Sequence, residues 1–300
     1  MSRLRFALPL LVSAALVAPG PAADPFAFAD GDRVVLLGST LIEREQKYGY
    51  WELALTLKNI DKAVTFRNLG WSGDTVHGEA RNGFDPAPKG FERLVGLTTE
   101  LKPTVVVVCY GHNESFDGPA GVAKFAAGLD KLLDALTPTK ARVVLMSPTP
   151  FGWLSQLADV GAKNKNLALY RDVIRAAAEK RKLGFVDLFE RLDRWTPGNP
   201  VYIEYTTNGL HPTPEGYQHA AWRLAGPIDR RLDGPAADAL RAKIVEKNRL
   251  FFYRWRPQNE TYLFGFRKHE QGSNAAEVAA FDPLVAAAEK EIAALKAAAK

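Results

Sequence analysis

The sequence predicts a three-layer α/β/α fold with a five-stranded parallel sheet, followed by a mainly helical C-terminal extension. Short apolar runs alternate with segments of helical periodicity between residues 33 and 232, and this alternation is typical of parallel sheets covered by helices. The apolar runs are rich in valine and leucine and lack polar alternation, as strands buried on both faces do. Three of them end in glycine or just before it, at Gly38, Gly70 and Gly111.

Five strands and five helices make up this α/β region. The predicted strands are 34–37, 64–69, 104–110, 142–146 and 184–187. The third contains four consecutive valines, which makes it the strongest strand signal in the chain. The predicted helices are 41–57, 91–101, 118–136, 164–182 and 214–232. The second helix stops at Lys102-Pro103 and the last begins at Pro214, which are usual positions for proline.

The two ends of the chain differ from this region. Residues 1–23 carry Arg3 and Arg5 ahead of a short apolar run and several small residues, which is the pattern of a cleaved secretory signal peptide. We therefore expect an exported protein, either periplasmic or secreted. Cleavage removes two arginines and no acid, and it lowers the formal net charge from +5 to +3. Residues 24–232 are predicted as one α/β domain and residues 233–300 as a helical extension packed on it.

Composition narrows the classes of function. With 47% hydrophobic and 24% charged residues, the chain is globular and not disordered. Its single cysteine, Cys109, excludes an intramolecular disulfide and a cysteine-based zinc site, and its place in the valine-rich strand predicts a buried, inert thiol. The five histidines lack metal-ligand spacing, so no metal site is predicted. No run after the signal peptide reaches 18 apolar residues, so no membrane span is expected in the mature chain.

Chemistry is expected in four loops, because ligands of open parallel sheets bind beyond the carboxyl ends of the strands. These loops are 38–41, 68–75, 110–115 and 208–213. Acyl transfer requires a hydroxyl nucleophile, an imidazole base, a group that orients the imidazole, and donors for an oxyanion. The four loops contain each of these residue types.

The first and last loops hold the candidate nucleophile and base. Thr40 supplies a hydroxyl, and Ser39, one residue earlier, is the alternative. His211 is the candidate base, and Asn208, three residues before it, is the residue expected to face its other ring nitrogen. Thr40 also fits a structural interpretation, because a threonine followed three residues later by Glu43 forms a helix capping box.

The second and third loops hold the candidate oxyanion donors. These are the backbone N–H of Gly73 and the side-chain amide of Asn113. Both residues also fit simple turn positions, since glycine and asparagine favour turns. His112, next to Asn113, is a further candidate that either contacts substrate or faces solvent.

Together the four loops resemble the four sequence blocks of the SGNH (GDSL-type) hydrolase superfamily. Gly73 matches the glycine of the second block. Gly111 and Asn113 match the Gly-x-Asn-Asp block, with Glu114 in place of its aspartate, and His211 matches the final Asp-x-x-His block. The resemblance covers about residues 30–232. It implies a flavodoxin-like sheet, the activity of esterases, lipases or carbohydrate deacetylases, and no metal or organic cofactor.

The chain departs from that family pattern in two blocks. Gly38-Ser39-Thr40 stands where the family has Gly-Asp-Ser, so Thr40 takes the serine position. Asn208 replaces the aspartate that orients the histidine. Threonine is a more hindered nucleophile, and in a serine protease the exchange of aspartate for asparagine lowers turnover by about 10⁴. Asparagine nevertheless orients the histidine in Cys-His-Asn enzymes.

From these residues we expect an exported hydrolase that cleaves an acyl or acetyl ester of a carbohydrate or lipid. Its partner is then a small-molecule or glycan ester, and no nucleic acid is expected. The alternative is a catalytically impaired SGNH-like pseudoenzyme that holds a glycan or a protein in the same cleft, which the replacements at Thr40 and Asn208 favour. The aromatic and basic stretch 251–267 is expected to pack on the core, and binding of an acidic glycan or nucleic acid is the less favoured interpretation.

Overall fold

The computed structural model describes residues 24–152, 159–192, 205–226, 233–256 and 260–298. The predicted signal peptide, residues 1–23, lies outside this part of the chain, and so does the predicted domain boundary at residue 232. Five strands form one parallel sheet in the order β2-β1-β3-β4-β5. The strands are β1 (Arg33–Gly38), β2 (Thr65–Asn68), β3 (Val105–Cys109), β4 (Arg142–Met146) and β5 (Gly184–Val186). The predicted α/β fold class is thus confirmed, because all five predicted strands are present and form one parallel sheet.

Helices cover both faces of the sheet, and further helices follow it. The α/β region contains α1 (Thr40–Tyr48), α2 (Tyr50–Lys58), α3 (Ala87–Glu100), α4 (Val122–Leu136), α5 (Val160–Arg181), α6 (Leu188–Arg191) and α7 (Pro214–Ala225). The C-terminal region contains α8 (Pro235–Trp255), α9 (Glu260–Leu263), α10 (Ala275–Val278) and α11 (Phe281–Ala298). No helix in the described part of the chain is both long and apolar enough to cross a membrane.

All five predicted helices differ from the structure in their extent. The helices predicted over 91–101 and 164–182 each begin four residues earlier and end one residue earlier, as α3 and α5. The predicted helix 41–57 is two helices, since Gly49 adopts a left-handed conformation (φ 68°) that ends α1 and begins α2. The predicted helix 118–136 begins only at Val122, because Gly118 (φ 60°) and Pro119 shape the preceding residues Glu114–Gly121 into a 3-10 helix. The helix predicted over 214–232 ends at Ala225, and its last six predicted positions, 227–232, lie outside the described residues.

Alternate residues of each strand build the cores above and below the sheet. Val34 and Val105 belong to the core under α1, α2, α7 and α8. Val35 and Val106 belong to the core under α3, α4 and α5. Cys109 ends the central strand, is buried, and donates its thiol to the carbonyl of Ser147 at 3.7 Å. Burial raises the pKa of this thiol, so it stays protonated and unreactive.

A buried ion pair joins the C-terminal region to the α/β core. The Nζ atom of Lys247, on α8, lies 2.8 Å from the carboxylate of Glu52 on α2. The same amine donates to the carbonyl of Phe66 at 3.1 Å and to the side chain of Asn248 at 2.7 Å. Lys247 is 1% exposed, and this burial lowers its pKa. The geometry therefore fixes α8 against α2, since a buried charge is tolerated only when it is paired.

Candidate active site

The first loop places Thr40, and not Ser39, at the surface of the site. β1 ends at Gly38, which pairs with Cys109 of β3, and α1 begins two residues later. Ser39 occupies the N-cap position, makes no side-chain capping bond, and is 3% exposed. Thr40 is the first residue of the helix and is partly exposed. The capping-box interpretation of Thr40 was wrong, because Ser39 holds the cap position and the carboxylate of Glu43 binds elsewhere.

The second loop rests directly on the start of α1. A side chain at Gly70 would overlap the backbone of Glu43, so only glycine allows this approach. The carboxylate of Glu43 accepts hydrogen bonds from the Ser72 backbone N–H at 2.6 Å and from the Ser72 hydroxyl at 2.8 Å. These contacts hold Gly73, which adopts a φ of 73°. Its N–H donates to Oγ1 of Thr40 at 3.0 Å.

A buried polar cluster supports the second loop from below. The carboxylate of Asp74 pairs with Nε of Arg81 at 2.6 Å and accepts from the Tyr110 hydroxyl at 3.0 Å. Arg81 also donates to the carbonyl of Leu69 at 2.9 Å. Asp74, Arg81 and Tyr110 are at most 2% exposed. Such fully buried and paired groups restrict the loop to one conformation.

The third loop is bonded to the second through two side chains. The amide of Asn113 donates to the carbonyl of Asp74 at 2.7 Å, and its second hydrogen remains for another acceptor. The buried carboxylate of Glu114 accepts from the backbone N–H of Val76 and from that of Gly111, each at 2.9 Å. Burial, with a further contribution from nearby Asp74, raises the pKa of Glu114 to about 7. Glu114 thereby fixes the distance between the loops that carry the two candidate oxyanion donors.

The fourth loop leads from the candidate base into α7. Asn208 accepts hydrogen bonds through Oδ1 from the backbone N–H of Leu210 at 3.1 Å and of His211 at 2.9 Å. The oxygen of Asn208 therefore shapes the turn that holds His211. Its orienting contact with the imidazole stays a prediction. Tyr217, on α7, donates its hydroxyl to the carbonyl of Leu41 at 2.8 Å, which anchors this loop beside the start of α1.

His211 is half-buried and lies near two charged or titratable neighbours. Burial and then the positive charge of Arg44 lower its pKa, so the imidazole is neutral at neutral pH. Arg44 lies four residues after Thr40 on α1, and residues at that spacing share one helix face. Within the described residues, neither ring nitrogen of His211 has a hydrogen-bond partner. A neutral imidazole is suited to accept a proton, and the effect of Arg44 on its pKa places His211 near α1.

His112 faces the same space from the third loop. Its ring packs edge-on against Phe151 with ring centroids 5.0 Å apart, and the residue is 4% exposed. Burial and then the proximity of His211 lower the pKa of His112 to about 3, so this imidazole carries no charge at neutral pH. Its Nε2 atom has no partner among the residues the structure describes. The alternative that His112 faces solvent is wrong, because the residue is buried. Its contact with substrate stays a prediction.

The structure thus brings most of the predicted residues to one edge of the sheet. Thr40 contacts Gly73 directly, and Asn113 contacts the residue after Gly73. Ser39 is buried beneath them. Within the described ranges, no cluster of three or more His, Cys, Asp or Glu side chains is arranged to hold a metal ion. The catalytic and oxyanion roles of these residues stay predictions.

Three residues that hold the site together were not singled out from the sequence as site residues. Glu43 fixes the second loop to α1, but its place three residues after Thr40 was assigned to helix capping. Glu114 joins the second and third loops, and the signal for it was its position after Asn113, where the family block has an aspartate. Arg81, which supports the second loop, lies in a stretch without any recognisable motif.

This arrangement is chemically suited to acyl transfer. The Gly73 N–H lies 3.0 Å from Oγ1 of Thr40. When Oγ1 attacks an ester carbonyl carbon, the carbonyl oxygen comes within hydrogen-bond reach of a donor at that distance. The side-chain amide of Asn113, which is bonded to the second loop, has a second hydrogen that can serve as a further donor. Preorganised donors of this kind stabilise the negative charge that develops in the transition state.

Comparison with known proteins agrees with this interpretation. The family model described as "GDSL-like Lipase/Acylhydrolase family" matches residues 37–219 of the chain. This range begins just before Thr40 and ends eight residues after His211, so it includes all four loops. A search of curated proteins gave no match.

Solved structures share the fold at low sequence identity. LAE5, an alpha/beta hydrolase enzyme from the metagenome of Lake Arreo in Spain, is 19% identical over 69% of this chain and 100% of its own, with a TM-score of 0.51. The acetyl xylan esterase AlAXEase is 18% identical over 64% of this chain and 97% of its own, with a TM-score of 0.50. BT4096, a gut microbial diltiazem-metabolizing enzyme, is 18% identical with a TM-score of 0.49. The match spans 66% of this chain and 46% of BT4096.

Proposed function

Since the chain belongs to the GDSL-like lipase/acylhydrolase family and is a hydrolase of ester bonds, we propose that Thr40 is its nucleophile and His211 its general base. The observation that carries this proposal is the 3.0 Å hydrogen bond between the Gly73 N–H and Oγ1 of Thr40. It joins an accessible hydroxyl to a fixed backbone donor. Ser39 is buried and lacks such access.

The proposed reaction has two halves. In the first, His211 takes the proton of the Thr40 hydroxyl, whose oxygen attacks the ester carbonyl carbon. The N–H of Gly73 and the amide of Asn113 stabilise the resulting oxyanion. The C–O bond to the leaving alcohol then breaks, and His211 returns its proton to that alcohol. In the second half, His211 deprotonates a water molecule, which releases the acid from the acyl-threonine by the same steps.

The lowered pKa of His211 supports the role of base. A base must be unprotonated before it accepts the proton of the nucleophile, and burial together with Arg44 keeps this imidazole neutral. His112 also stays neutral, because its pKa is about 3. It therefore adds no positive charge that would oppose formation of the His211 imidazolium.

We propose a carbohydrate or lipid acyl or acetyl ester as the substrate, and export of the mature chain after cleavage near residue 23. The acetyl xylan esterase with the same fold supports the proposed substrate by analogy.

The basic and apolar N-terminal residues support the proposed export. Sequencing the N-terminus of protein recovered from an export-competent host tests export, and a chain that still begins at Met1 contradicts it.

Hydrolysis of p-nitrophenyl acetate tests the mechanism. We expect the wild-type chain to hydrolyse this ester, and the Thr40→Ala and His211→Ala variants to lose the activity. Ser39→Ala is the matched control, because it removes the neighbouring hydroxyl, and it should retain activity. Activity that persists in His211→Ala contradicts the mechanism. Absence of activity in the folded wild-type chain would favour a binding role for the same cleft.

A further inference from the structure

A cleft with a volume of about 620 Å³ opens beside the candidate active site. The second loop and the residues that follow it form one wall, and Arg256 with five residues between 261 and 266 forms the other. We call it the aromatic cleft, because five of its lining residues are aromatic: Trp71, Phe84, Tyr262, Phe264 and Phe266. The stretch 251–267 was expected to pack on the core, and Phe251 does so. Phe264 and Phe266 instead line this cleft.

The aromatic side chains of the cleft are exposed to an unusual degree. Phe84 is 92% exposed, Phe266 is 80% exposed and Phe264 is 57% exposed. Single exposed apolar residues are common on protein surfaces, but several gathered around one concave site indicate a binding surface. Flat aromatic rings with solvent-facing surfaces provide platforms on which the C–H faces of sugar rings can stack.

Three arginines, Arg81, Arg93 and Arg256, also line the cleft, together with one carboxylate, Asp85. The guanidinium carbon of Arg256 lies 3.9 Å from the centre of the Trp71 ring. The carboxylates that pair with Arg81 and Arg256 belong to Asp74 and Glu43, which are not among the lining residues. Asp85 pairs with Arg93 at 2.6 Å within the lining, so each of the three arginines has a carboxylate partner, and two of these partners lie behind the lining.

Arg81 provides a second, independent indication of a ligand. Its side chain is buried, and its Nη1 atom has no hydrogen-bond partner among the described residues. A buried donor without an acceptor is costly unless another molecule supplies one. Guanidinium groups bind carboxylates particularly well, because their planar donors match the two oxygens.

The aromatic cleft adjoins the loop that carries Gly73, because Trp71 of that loop lines it. Trp71 lies two residues before Gly73 on the same loop. Arg256 forms an ion pair with Glu43, and Glu43 in turn binds Ser72. A substrate whose ester group lies at Thr40 can therefore extend from the reacting atoms into the cleft.

We infer that the aromatic cleft binds the glycan part of the ester substrate, and that this glycan carries carboxylates, as chains of uronic acids do. The inference rests on the proposed ester hydrolysis at Thr40. Aromatic rings receive the sugar faces, and the arginine side chains receive the carboxylates. Single-stranded nucleic acid would also use aromatic and basic residues, but its phosphodiester backbone contains no carboxylic ester for Thr40 to attack.

Isothermal titration with a de-esterified hexamer of galacturonic acid tests this inference without requiring turnover. We expect saturable binding, and we expect Phe84→Ala and Phe266→Ala each to weaken it by about five- to tenfold. Trp222→Ala is the matched control, because Trp222 is a 41% exposed aromatic residue that lies near Arg191 and Arg223 outside the cleft. That variant should bind like the wild type.

Two further ligands test the chemistry of the occupant. A neutral xylose hexamer should bind more weakly than the galacturonate hexamer, and added salt should weaken only binding of the acidic ligand. Equal binding of the two sugars overturns the role of the arginines. Failure of the galacturonate hexamer to bind, or preferred binding of a single-stranded DNA oligomer, overturns the inference as a whole.

The Thr40→Ala variant separates this inference from the proposed function. If the variant is inactive yet binds the galacturonate hexamer like the wild type, both proposals stand. If wild-type protein binds the hexamer but hydrolyses no ester, the proposed function fails alone. If it hydrolyses p-nitrophenyl acetate with loss in Thr40→Ala but binds no hexamer, only the assignment of the aromatic cleft fails.

Discussion

The N–H of Gly73 lies 3.0 Å from Oγ1 of Thr40 and donates a hydrogen bond to it. This bond joins the loops after β1 and β2, which are neighbouring strands of the sheet. Thr40 sits at the first turn of α1, and Gly73 sits on a loop that Glu43 fixes to the same helix. The relative position of hydroxyl and donor is therefore set before any ligand binds, and Thr40 is the residue to test first.

Substitution of Thr40 distinguishes a nucleophile from a structural hydroxyl. We expect Thr40→Ala to lower kcat for p-nitrophenyl acetate by about 10³-fold or more, because the adjacent Ser39 hydroxyl is buried. Thr40→Ser should retain activity or raise it, since serine keeps the oxygen and removes the β-branch. Equal loss in the serine and alanine variants, with folding confirmed by circular dichroism, would contradict the assignment.

Asn208→Asp should raise kcat by about tenfold or more, because a carboxylate stabilises the imidazolium that forms on His211. One carboxylate oxygen can keep the bonds that Asn208 makes to the N–H groups of Leu210 and His211, which leaves the other for the ring. Steady-state kinetics measure the effect. Asn208→Ala is the control that removes the turn bonds without adding charge, and it should lower activity. No gain in a folded Asn208→Asp variant would mean that this side chain does not face the ring.

Arg44→Gln should shift the acid limb of the pH profile of kcat/KM to higher pH. Arg44 contributes to the lowered pKa of His211, so loss of its charge raises that pKa and protonates the base at a higher pH. Lys140→Gln is the matched control. It removes an exposed positive charge two residues before β4, at the opposite edge of the sheet, and it should leave the profile in place. Identical profiles for wild type and Arg44→Gln would remove His211 as the titrating base.

Glu114 makes stability depend on pH in a defined window. Its pKa is about 7 in the folded chain and near 4.5 when unfolded, so the folded state retains a proton that the unfolded state has lost. The free energy of unfolding should therefore fall by up to about 3 kcal/mol as pH rises from 4.5 to 7, and this contribution should level off above 7. The Glu114→Gln variant has no carboxyl group at this position, so its free energy of unfolding lacks this pH-dependent contribution.

The difference between wild type and Glu114→Gln isolates that effect from other titrating groups. Urea unfolding at several pH values gives the free energies, and the difference between the two proteins should decline across the window. Glu92→Gln is the control, because the Glu92 side chain is 60% exposed, and its curve should run parallel to the wild type. Parallel curves for wild type and Glu114→Gln would place the pKa of Glu114 near its ordinary value.

The sequence pattern predicted the sheet better than the details of the site. Uninterrupted valine and leucine runs identify buried strands, and β4 has the predicted bounds. The break at Gly49 was missed, because apolar residues continue on both sides of it. Residue types alone also could not show that Ser39 is buried while Thr40 is accessible, since that depends on how the first turn of α1 faces the second loop.

The aromatic cleft shows a second limit of sequence reasoning. Phe84 and Phe266 are separated by 182 positions, and no local pattern relates them. Their proximity follows from the packing of α8 on the core, where the Lys247–Glu52 pair is buried. The loops after the strands were predictable, because parallel topology alone brings the carboxyl ends of strands to one edge.

The buried position of Cys109 makes the native protein suitable for site-specific labelling. It is the chain's one cysteine, and its protonated thiol is enclosed at the end of the central strand. Thiol-directed dyes should therefore ignore the folded wild-type chain. A cysteine introduced by Phe266→Cys would be the one reactive thiol, so a fluorophore could be attached in the aromatic cleft without altering any other residue.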